Sequence, residues 1–344
     1  MRVLQVDSGR EWRGGQNQVR LLCRELARDR TIEQLLVTQR GSELARRAAA
    51  DGATVMETPW RWGFDPRAWV RLNLAVGAFK PDIVHAHDAH ALGLARHAAG
   101  DARLVATRRV DFHVSRFSTW RRTDRVIAIS AAVRNILAAD GIPATEITVV
   151  PDGIDPDEIR RAARRPLNIR ARLGLPAGAP LAVNVAALVD HKDQRALIRA
   201  AAHARAARPD LHWAIAGEGE LRGSLTSEIG RLGLADRVHL LGYVENADAL
   251  IRECDVFVMS SKEEGLGSVI LNALALEKPV VATAAGGIPE ILPSESLVPV
   301  GDAVGLAGKV VDAISHPPSR IPLPARFTAV AMAQGVLDVY RSLL

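Results

Sequence analysis

The feature that most constrains this chain is an apolar run that leads into a glycine-containing loop and then a helix. Val256–Met259 reads Val-Phe-Val-Met, which is typical of a buried strand. The loop that follows contains Glu264, Gly265 and Gly267, and apolar residues then recur with helical spacing from Val269. The start of such a helix has free backbone N–H groups, and the helix dipole also attracts anions there.

A second unit of the same kind follows directly. Residues 278–283 read Lys-Pro-Val-Val-Ala-Thr, another strand, and residues 285–291 form another glycine turn into a short helix. Turns at the carboxyl ends of neighbouring parallel strands face one crevice. Phosphates would bind the free N–H groups, and Glu264 would accept hydrogen bonds from hydroxyls, so a sugar nucleotide fits. The alternative is a plain strand-to-helix turn.

Together these two stretches resemble the donor-binding signature of glycosyltransferase family 4, which has the GT-B architecture. That family carries a Glu, seven residues and a second Glu; here the first is Glu264 and the second position is Asn272. The resemblance implies an α/β fold of two Rossmann-like domains facing across a cleft. It also implies a nucleotide-sugar donor, retention of anomeric configuration and no metal or other cofactor.

The alternation of strands and helices predicts two domains with parallel sheets. We place the first at 1–165 and the second at 166–326, with a linker in the Arg-, Pro- and Gly-rich segment 156–180. The resemblance implies that a terminal helix, 327–344, packs back on the first domain. The predicted strands are 2–7, 33–38, 53–57, 82–86, 103–107, 125–129, 146–150, 181–186, 211–216, 237–241, 255–259 and 279–283.

Charge is uneven along the 344 residues. Residues 1–165 carry 27 Lys or Arg against 20 Asp or Glu, whereas the whole chain has a formal charge of +5. A basic first half fits an anionic lipid surface or an acidic acceptor, or else a general bias toward Arg. We expect a cytoplasmic protein with peripheral contact at the inner membrane face as an option, and no nucleic-acid partner. Cys23 and Cys254 fit reduced core residues.

In the first domain, Arg13-Gly14-Gly15-Gln16 follows the first strand and opens the first helix. Close backbone approach there suits a phosphate, and we favour contact of Gly14 and Gly15 with the donor diphosphate. The alternative is a turn that merely needs small residues. The pattern is not Gly-x-Gly-x-x-Gly, which argues against a nicotinamide-binding site.

Two histidines, His85 and His87, end the strand at 82–86. The resemblance implies that His87 lines the sugar-binding cleft, whereas His85 is a neighbour or a structural group. Metal binding by this pair is not expected, because no nearby Cys or carboxylate completes a ligand set.

Acceptor contacts are assigned to three residues of the first domain. Arg108 and Arg109 follow a strand, and Trp60 belongs to an aromatic-basic cluster with Arg61 and Trp62. Stacking aromatics with Arg suit a sugar face or a membrane surface, and they equally suit ordinary packing.

In the second domain, the resemblance implies contacts to each part of the donor. Lys192 would hold the diphosphate, although the family's usual Arg is replaced by Ala187. Gly217 would line the nucleotide cleft and the backbone near Val244 would contact the base. Glu264 would meet the donor sugar. The neighbouring backbone would meet the diphosphate at Gly265, Leu266 and Gly267.

Asn272 stands where the resemblance places the ribose-binding Glu. An amide offers one acceptor and one donor group to a diol, whereas a carboxylate accepts from both hydroxyls. From the sequence we therefore expect that Asn272→Glu preserves or tightens nucleotide binding.

The sequence thus predicts an enzyme, a retaining hexosyltransferase. It would transfer a sugar, from a UDP-sugar in preference, to a glycan or glycolipid intermediate of the cell envelope. His87, Glu264 and Lys192 would act at the reacting centre. The alternatives are a non-catalytic GT-B homologue that acts as a partner or scaffold, and a sugar-nucleotide epimerase or a phosphorylase on the same architecture.

Overall fold

The computed structural model describes residues 1–61, 63, 65–115 and 119–344, so Trp62 lies outside the described residues. The chain divides into two compact units. Unit 1 comprises Met1–Ile154 and Ala325–Leu344, and unit 2 comprises Asp155–Pro324. The boundary predicted at 165–166 lies further along the chain, within unit 2.

Unit 1 is built on a seven-stranded parallel sheet with the order β3-β2-β1-β4-β5-β6-β7. Its strands are β1 (Arg2–Asp7), β2 (Glu33–Gln39), β3 (Val55–Thr58), β4 (Ile83–Ala86), β5 (Arg103–Arg108), β6 (Arg125–Ala128) and β7 (Ile147–Val149). The strand order reverses between β1 and β4. Parallel sheets of this kind bind ligands at the carboxyl ends of the strands beside such a reversal.

The α-helices described in unit 1 are α1 (Gly14–Leu26), α2 (Glu43–Ala50), α3 (Pro66–Phe79), α4 (Ala89–Ala98), α5 (Ala131–Ala139) and α13 (Ala329–Arg341). The hydroxyl of Ser130 accepts a hydrogen bond from the Val133 amide and so caps α5. α13 packs against α1. Its Val336 and Tyr340 join a core that also contains Leu22 of α1.

Unit 2 has a six-stranded parallel sheet with the order β10-β9-β8-β11-β12-β13. Its strands are β8 (Leu181–Val185), β9 (His212–Ala216), β10 (Val238–Gly242), β11 (Val256–Met259), β12 (Val280–Thr283) and β13 (Leu297–Val298). The order reverses between β8 and β11, which places the loops that follow these two strands side by side.

The helices of unit 2 are α6 (Pro156–Ala162), α7 (Ile169–Arg172), α8 (Gln194–Ala204), α9 (Arg222–Arg231), α10 (Ala247–Glu253), α11 (Val269–Ala275) and α12 (Ala303–Ser315). A continuous apolar core forms between the sheet and α8 and α12, with Trp213, Val258 and Leu306 fully buried in it. Within the described residues, no helix combines the length and the apolar composition needed to span a bilayer.

Both sheets confirm the predicted α/β class of two parallel, Rossmann-like folds. The twelve predicted strands all exist, with ends shifted by at most two residues. β13 is a two-residue strand that the sequence did not predict. Cys23 and Cys254 are both buried and unpaired, as predicted.

Candidate functional site

The loops at the carboxyl edge of the unit 2 sheet are joined to one another by hydrogen bonds. After β8, the backbone carbonyl of His191 accepts from the Lys262 amide of the loop after β11. The Ser260 hydroxyl donates to the Lys192 carbonyl at 3.1 Å. The Gly287 amide, after β12, donates to the Glu264 carbonyl at 3.1 Å. Three loops therefore form one connected surface.

A charged pair lies at the centre of this surface. Lys192 Nζ donates to Glu264 Oε1 at 2.6 Å, and the Ser261 hydroxyl donates to the same oxygen at 3.0 Å. The Glu264 carboxylate is buried, whereas Lys192 is half-buried. The structure thus brings together two residues that are 72 positions apart and that the sequence predicts to address neighbouring parts of one ligand.

Two glycines beside this surface, Gly217 and Gly267, are required by the local structure. A Cβ on Gly217 would lie 1.9 Å from the Ala186 carbonyl oxygen, and Gly217 has φ +144°. Gly267 has φ +84°, and a Cβ there would meet Ile288 Cγ1 at 3.1 Å. Glycine is needed at both positions by the packing of unit 2 itself. Leu266, next to Gly267 in the chain, is buried.

Val244 lies half-buried in the loop after β10. Its neighbour Tyr243 is exposed, and the Tyr243 amide donates to Glu218 Oε1 at 3.2 Å. The Gly217 amide donates to the Gly242 carbonyl at 2.8 Å, which ties the loops after β9 and β10 together. These predicted base-side residues therefore share the same edge of the sheet as the charged pair.

Asn272 has a partner that the sequence did not reveal. Its Nδ2 donates to Asp248 Oδ1 of α10 at 2.7 Å. Burial raises the pKa of Asp248, and the nearby carboxylate of Glu158 adds to that rise, whereas the hydrogen bond from Asn272 opposes it. Because a carboxylate only accepts, Asn272 presents its amino group to Asp248, and its carbonyl oxygen remains as an acceptor. A carboxylate is thus present beside position 272, on α10 instead of α11.

In unit 1, a buried chain of hydrogen bonds runs between β1, β4, β5 and α13. Gln5 Nε2 donates to the Tyr340 hydroxyl oxygen at 3.2 Å, and that hydroxyl lies 2.6 Å from His85 Nδ1. His85 Nε2 in turn lies 2.7 Å from the Thr107 hydroxyl. Gln5 Oε1 lies 2.7 Å from His87 Nε2. His85 is therefore held as a structural group by two partners.

These hydrogen bonds determine which ring nitrogen of His87 carries the proton. Gln5 Oε1 is an acceptor, so His87 carries its proton on Nε2 and has a lone pair on Nδ1. Burial lowers the pKa of His87 well below its usual value, with further contributions from His85 and Arg109. The imidazole is therefore neutral. Nδ1 is buried and has no hydrogen-bond partner in the described part of the chain.

Asp7, at the carboxyl end of β1, was not singled out in the sequence. Burial, together with the neighbouring carboxylate of Asp88, raises the pKa of Asp7 to about 6. Asp7 accepts from the Gly9 amide at 2.9 Å and from Gln16 Nε2 at 3.3 Å. A buried, perturbed carboxyl at a strand end is typical of functional sites.

The two predicted acceptor arginines have different surroundings. Arg109 donates to Asp152 Oδ1 at 3.2 Å and to the His87 carbonyl at 3.2 Å, and its Cδ would lie 3.7 Å from a Cβ on Gly15. Arg109 thus lies beside the start of α1, where Gly14 and Gly15 are found. Arg108 is buried, donates to the Phe112 carbonyl and has its guanidinium over the Trp120 ring. Arg108 is therefore held by packing.

Trp60, the third predicted acceptor residue, lines a cavity of about 410 Å³ in unit 1. We call it the β1 cavity; its walls come from residues 8–16, which comprise the loop after β1 and the start of α1, and from residues near Trp60 and Asp88. In the described part of the chain, no three His, Cys, Asp or Glu side chains come together as a metal-binding group.

Comparison with known proteins adds the family to this geometry. Residues 167–329 match the family described as glycosyl transferases group 1, and residues 12–158 match Glycosyltransferase Family 4. The lipopolysaccharide core biosynthesis glycosyltransferase LpsD of Rhizobium meliloti is 26% identical over 99% of this chain and 98% of that protein.

Two further similarities cover different parts of the chain. The 2-deoxystreptamine glucosyltransferase of Streptomyces kanamyceticus is 29% identical over 57% of this chain and 53% of that protein. Among solved structures, Anabaena HepE in complex with UDP and glucose superposes with a TM-score of 0.84 at 21% identity, over 99% of this chain and all of that one. The last similarity establishes the shared fold.

Proposed function

This chain belongs to the glycosyltransferases of group 1 and family 4, and we propose that it transfers a hexose from a nucleotide-diphosphate sugar to an acceptor hydroxyl. A UDP-sugar is the preferred donor, because the HepE structure with the same fold was solved with UDP and glucose. The name of the LpsD relative supports a glycolipid or polysaccharide intermediate of the cell envelope as the acceptor.

The observation that carries this proposal is the contact between Lys192 and Glu264. Without a ligand, each charge is the partner of the other. A donor diphosphate would take over the ammonium group, because a phosphate offers more acceptor oxygens and more negative charge than one carboxylate. Glu264 would then be free to accept hydrogen bonds from hydroxyls of the donor sugar. One ion pair is thereby exchanged for contacts with both parts of a nucleotide sugar.

His87 supports the assignment of the sugar site to hydroxyl-bearing groups. Among the described residues its Nδ1 is a buried acceptor without a partner, and its neutral state persists at pH 7 because burial lowers its pKa. This neutral nitrogen can accept a hydrogen bond from a sugar hydroxyl, whereas it cannot bond to a group that only accepts.

We propose a retaining reaction without metal. The departing diphosphate would be stabilised by Lys192 and by backbone amides at Gly265–Gly267, and its oxygen would receive the proton of the acceptor hydroxyl on the same face of the sugar. A diphosphate leaving group develops negative charge as it departs, and these groups would neutralise that charge.

The test measures thermal unfolding in EDTA with UDP, GDP, ADP and dTDP in turn. A ligand at 100 times its dissociation constant adds about 2.7 kcal/mol to the free energy of unfolding. We expect UDP to give the largest shift, Lys192→Met to lose most of it, and the control Lys309→Met to keep it. Proton NMR of the glycosylated product then reads the anomeric configuration directly, and an inverted product would exclude retention.

The second candidate is a non-catalytic partner protein. Ala187 removes a cation that the resembled signature places on the diphosphate, and Asn272 removes a carboxylate. If none of the four nucleotides shifts the unfolding temperature, the partner role is favoured over transfer.

Peripheral contact with an anionic membrane, from a cytoplasmic protein, completes the proposal. The outer face of α3 exposes Trp69, Val70 and Leu74, by 36, 49 and 68%, with Arg67 and Arg71 beside them. Exposed apolar residues flanked by arginines suit the interface of anionic lipids.

Sedimentation with vesicles tests this contact. We expect binding to vesicles that contain phosphatidylglycerol and none to pure phosphatidylcholine. Leu74→Glu should abolish binding, whereas Val304→Glu, at an exposed valine of unit 2, should not. Equal loss in both variants, or binding to neither vesicle, would remove α3 as the contact surface.

A further inference from the structure

The β1 cavity is lined by more hydrogen-bond donors than acceptors. Three guanidinium groups line it, those of Arg10, Arg13 and Arg61, against the two carboxylates of Glu11 and Asp88. Its volume of about 410 Å³ falls within the range of small-molecule sites, roughly 300–1,000 Å³. The question is which of these groups are still available to a ligand.

Both carboxylates are already occupied. Asp88 accepts from the amide and the hydroxyl of Ser8, and it caps α4 through the amides of His90 and Ala91. Glu11 accepts from Arg13 Nε at 2.8 Å. Asp88 is therefore satisfied within unit 1, whereas Glu11 is exposed and has one oxygen paired with Arg13.

Several donors are not occupied. Arg10 spends Nη2 on the carbonyls of Trp60 and Arg61, at 2.7 and 2.6 Å, and so ties the loop after β1 to the loop after β3. In the part of the chain that the structure describes, the Arg61 guanidinium and the His90 ring make no hydrogen bond to protein, and both residues are exposed to solvent. Within the same described residues, the indole Nε1–H of Trp60 is buried without an acceptor. A donor left in that state destabilises a fold by about 1–3 kcal/mol, and a ligand oxygen would relieve it.

From this excess of free donors we infer that the β1 cavity binds the acceptor substrate through an oxyanion, a phosphate or a carboxylate carried on a sugar. Arg61 forms the charge-assisted contact, His90 adds a second donor, and the Trp60 ring supplies an apolar wall. The inference rests on the proposed transferase function, because it names the class of acceptor for that reaction.

Calorimetric titration of the full chain tests the inference with three soluble probes: glucose 6-phosphate, glucuronate and glucose. We expect one of the two charged probes to bind at least tenfold more tightly than neutral glucose, with affinity that falls as salt rises. Which of the two binds distinguishes phosphate from carboxylate. Vesicles with phosphatidic acid distinguish a lipid phosphate from a soluble one, since a lipid source requires tighter binding to these vesicles than to glucose 6-phosphate.

Variants assign the binding to the cavity. Arg61→Gln should lower the affinity for the charged probe at least tenfold, and His90→Gln should lower that affinity independently. Arg30→Gln is the matched control, because Arg30 is exposed just before β2, at the opposite edge of the sheet. It should leave the affinity within twofold.

Three results would overturn the inference: equal affinity for glucose and both charged probes, unchanged binding in Arg61→Gln, or competition between UDP and the charged probe for one site. UDP binding is measured on the same samples. If the unmodified protein does not bind UDP, that result counts against the transferase function, whatever the β1 cavity binds.

Discussion

Replacing Asn272 by Glu would bring a second carboxylate to Asp248. The Nδ2 group of Asn272 now donates to Asp248 Oδ1 at 2.7 Å, so this substitution exchanges a donor for an acceptor at a partly buried contact. The sequence alone predicts that Asn272→Glu preserves or tightens nucleotide binding. The contact with Asp248 adds a cost in stability that the sequence did not reveal, because the new side chain would meet a like charge.

The size of the effect follows from this geometry. Two unit charges about 4 Å apart interact by roughly 4 kcal/mol at an effective dielectric constant of 20. Protonation of one carboxyl limits the penalty, since neutralising a group of pKa about 4.3 at pH 7 takes roughly 3–4 kcal/mol. We therefore expect Asn272→Glu to lower the free energy of unfolding of unit 2 by about 2–4 kcal/mol at pH 8. That loss corresponds to a decrease of roughly 5–15 °C in unfolding temperature.

A reciprocal variant separates charge from shape. Asp248→Asn combined with Asn272→Glu restores one amide and one carboxylate, so most of the lost stability should return. The expected coupling in this double-mutant cycle is at least about 1.5 kcal/mol. Urea unfolding at pH 5 and pH 8 measures it, and UDP titration of the four proteins reports whether the restored pair also restores nucleotide binding.

The pH dependence provides the refutation. In the single variant, one carboxyl of the pair has a raised pKa in the folded state, so the penalty is present at high pH and shrinks as the pH falls. If Asn272→Glu unfolds like the parent chain at pH 8, or if its deficit is the same at pH 5, like-charge repulsion at Asp248 is not the operating effect.

Three more substitutions test other parts of the structure. Burial raises the pKa of Asp7 to about 6, so ionisation of this carboxyl opposes folding at higher pH. In urea unfolding, Asp7→Asn should raise the free energy of unfolding by up to about 3 kcal/mol above pH 6 and leave it unchanged below pH 4. An equal increase at both pH values would contradict this titration. Gly217→Ala would place a Cβ 1.9 Å from the Ala186 carbonyl oxygen, so calorimetry should show the free energy of unfolding lowered by at least about 3 kcal/mol. The control Gly223→Ala, which has open space around it in α9, should raise that free energy by about 0.5–1 kcal/mol. His87→Leu removes the free Nδ1 acceptor, so kcat/KM should fall roughly tenfold with UDP affinity unchanged; unaltered turnover would exclude a sugar contact.

Much of the fold was predictable because buried parallel strands are nearly continuous apolar runs. Val256–Met259 and Val280–Thr283 are examples, and the structure places both next to each other in register. β13 was missed because two residues, Leu297 and Val298, are too few to carry a pattern. Its membership in the sheet comes from pairing with β12 alone.

The site was predictable where local sequence carries the chemistry, and not where it depends on distant partners. The position of Glu264 after a strand was readable, but its contact with Lys192 needed the fold. Asp248 was missed because nothing within α10 marks it; only its proximity to Asn272 gives it a role. Asp7 did carry a signal, since it is an acidic residue at the end of the first strand.

The hydrogen bond between Gln5 and Tyr340 joins residues 335 positions apart, and this separation has a consequence for how the protein is made. Unit 1 is interrupted by the whole of unit 2, which is one continuous segment, Asp155–Pro324. At about 5–20 residues per second, the ribosome needs roughly 10–30 seconds to synthesise that segment. During this time Gln5 and His85 lack their tyrosine partner. Unit 2 is therefore complete before unit 1, and the half of the molecule that is translated first finishes folding last.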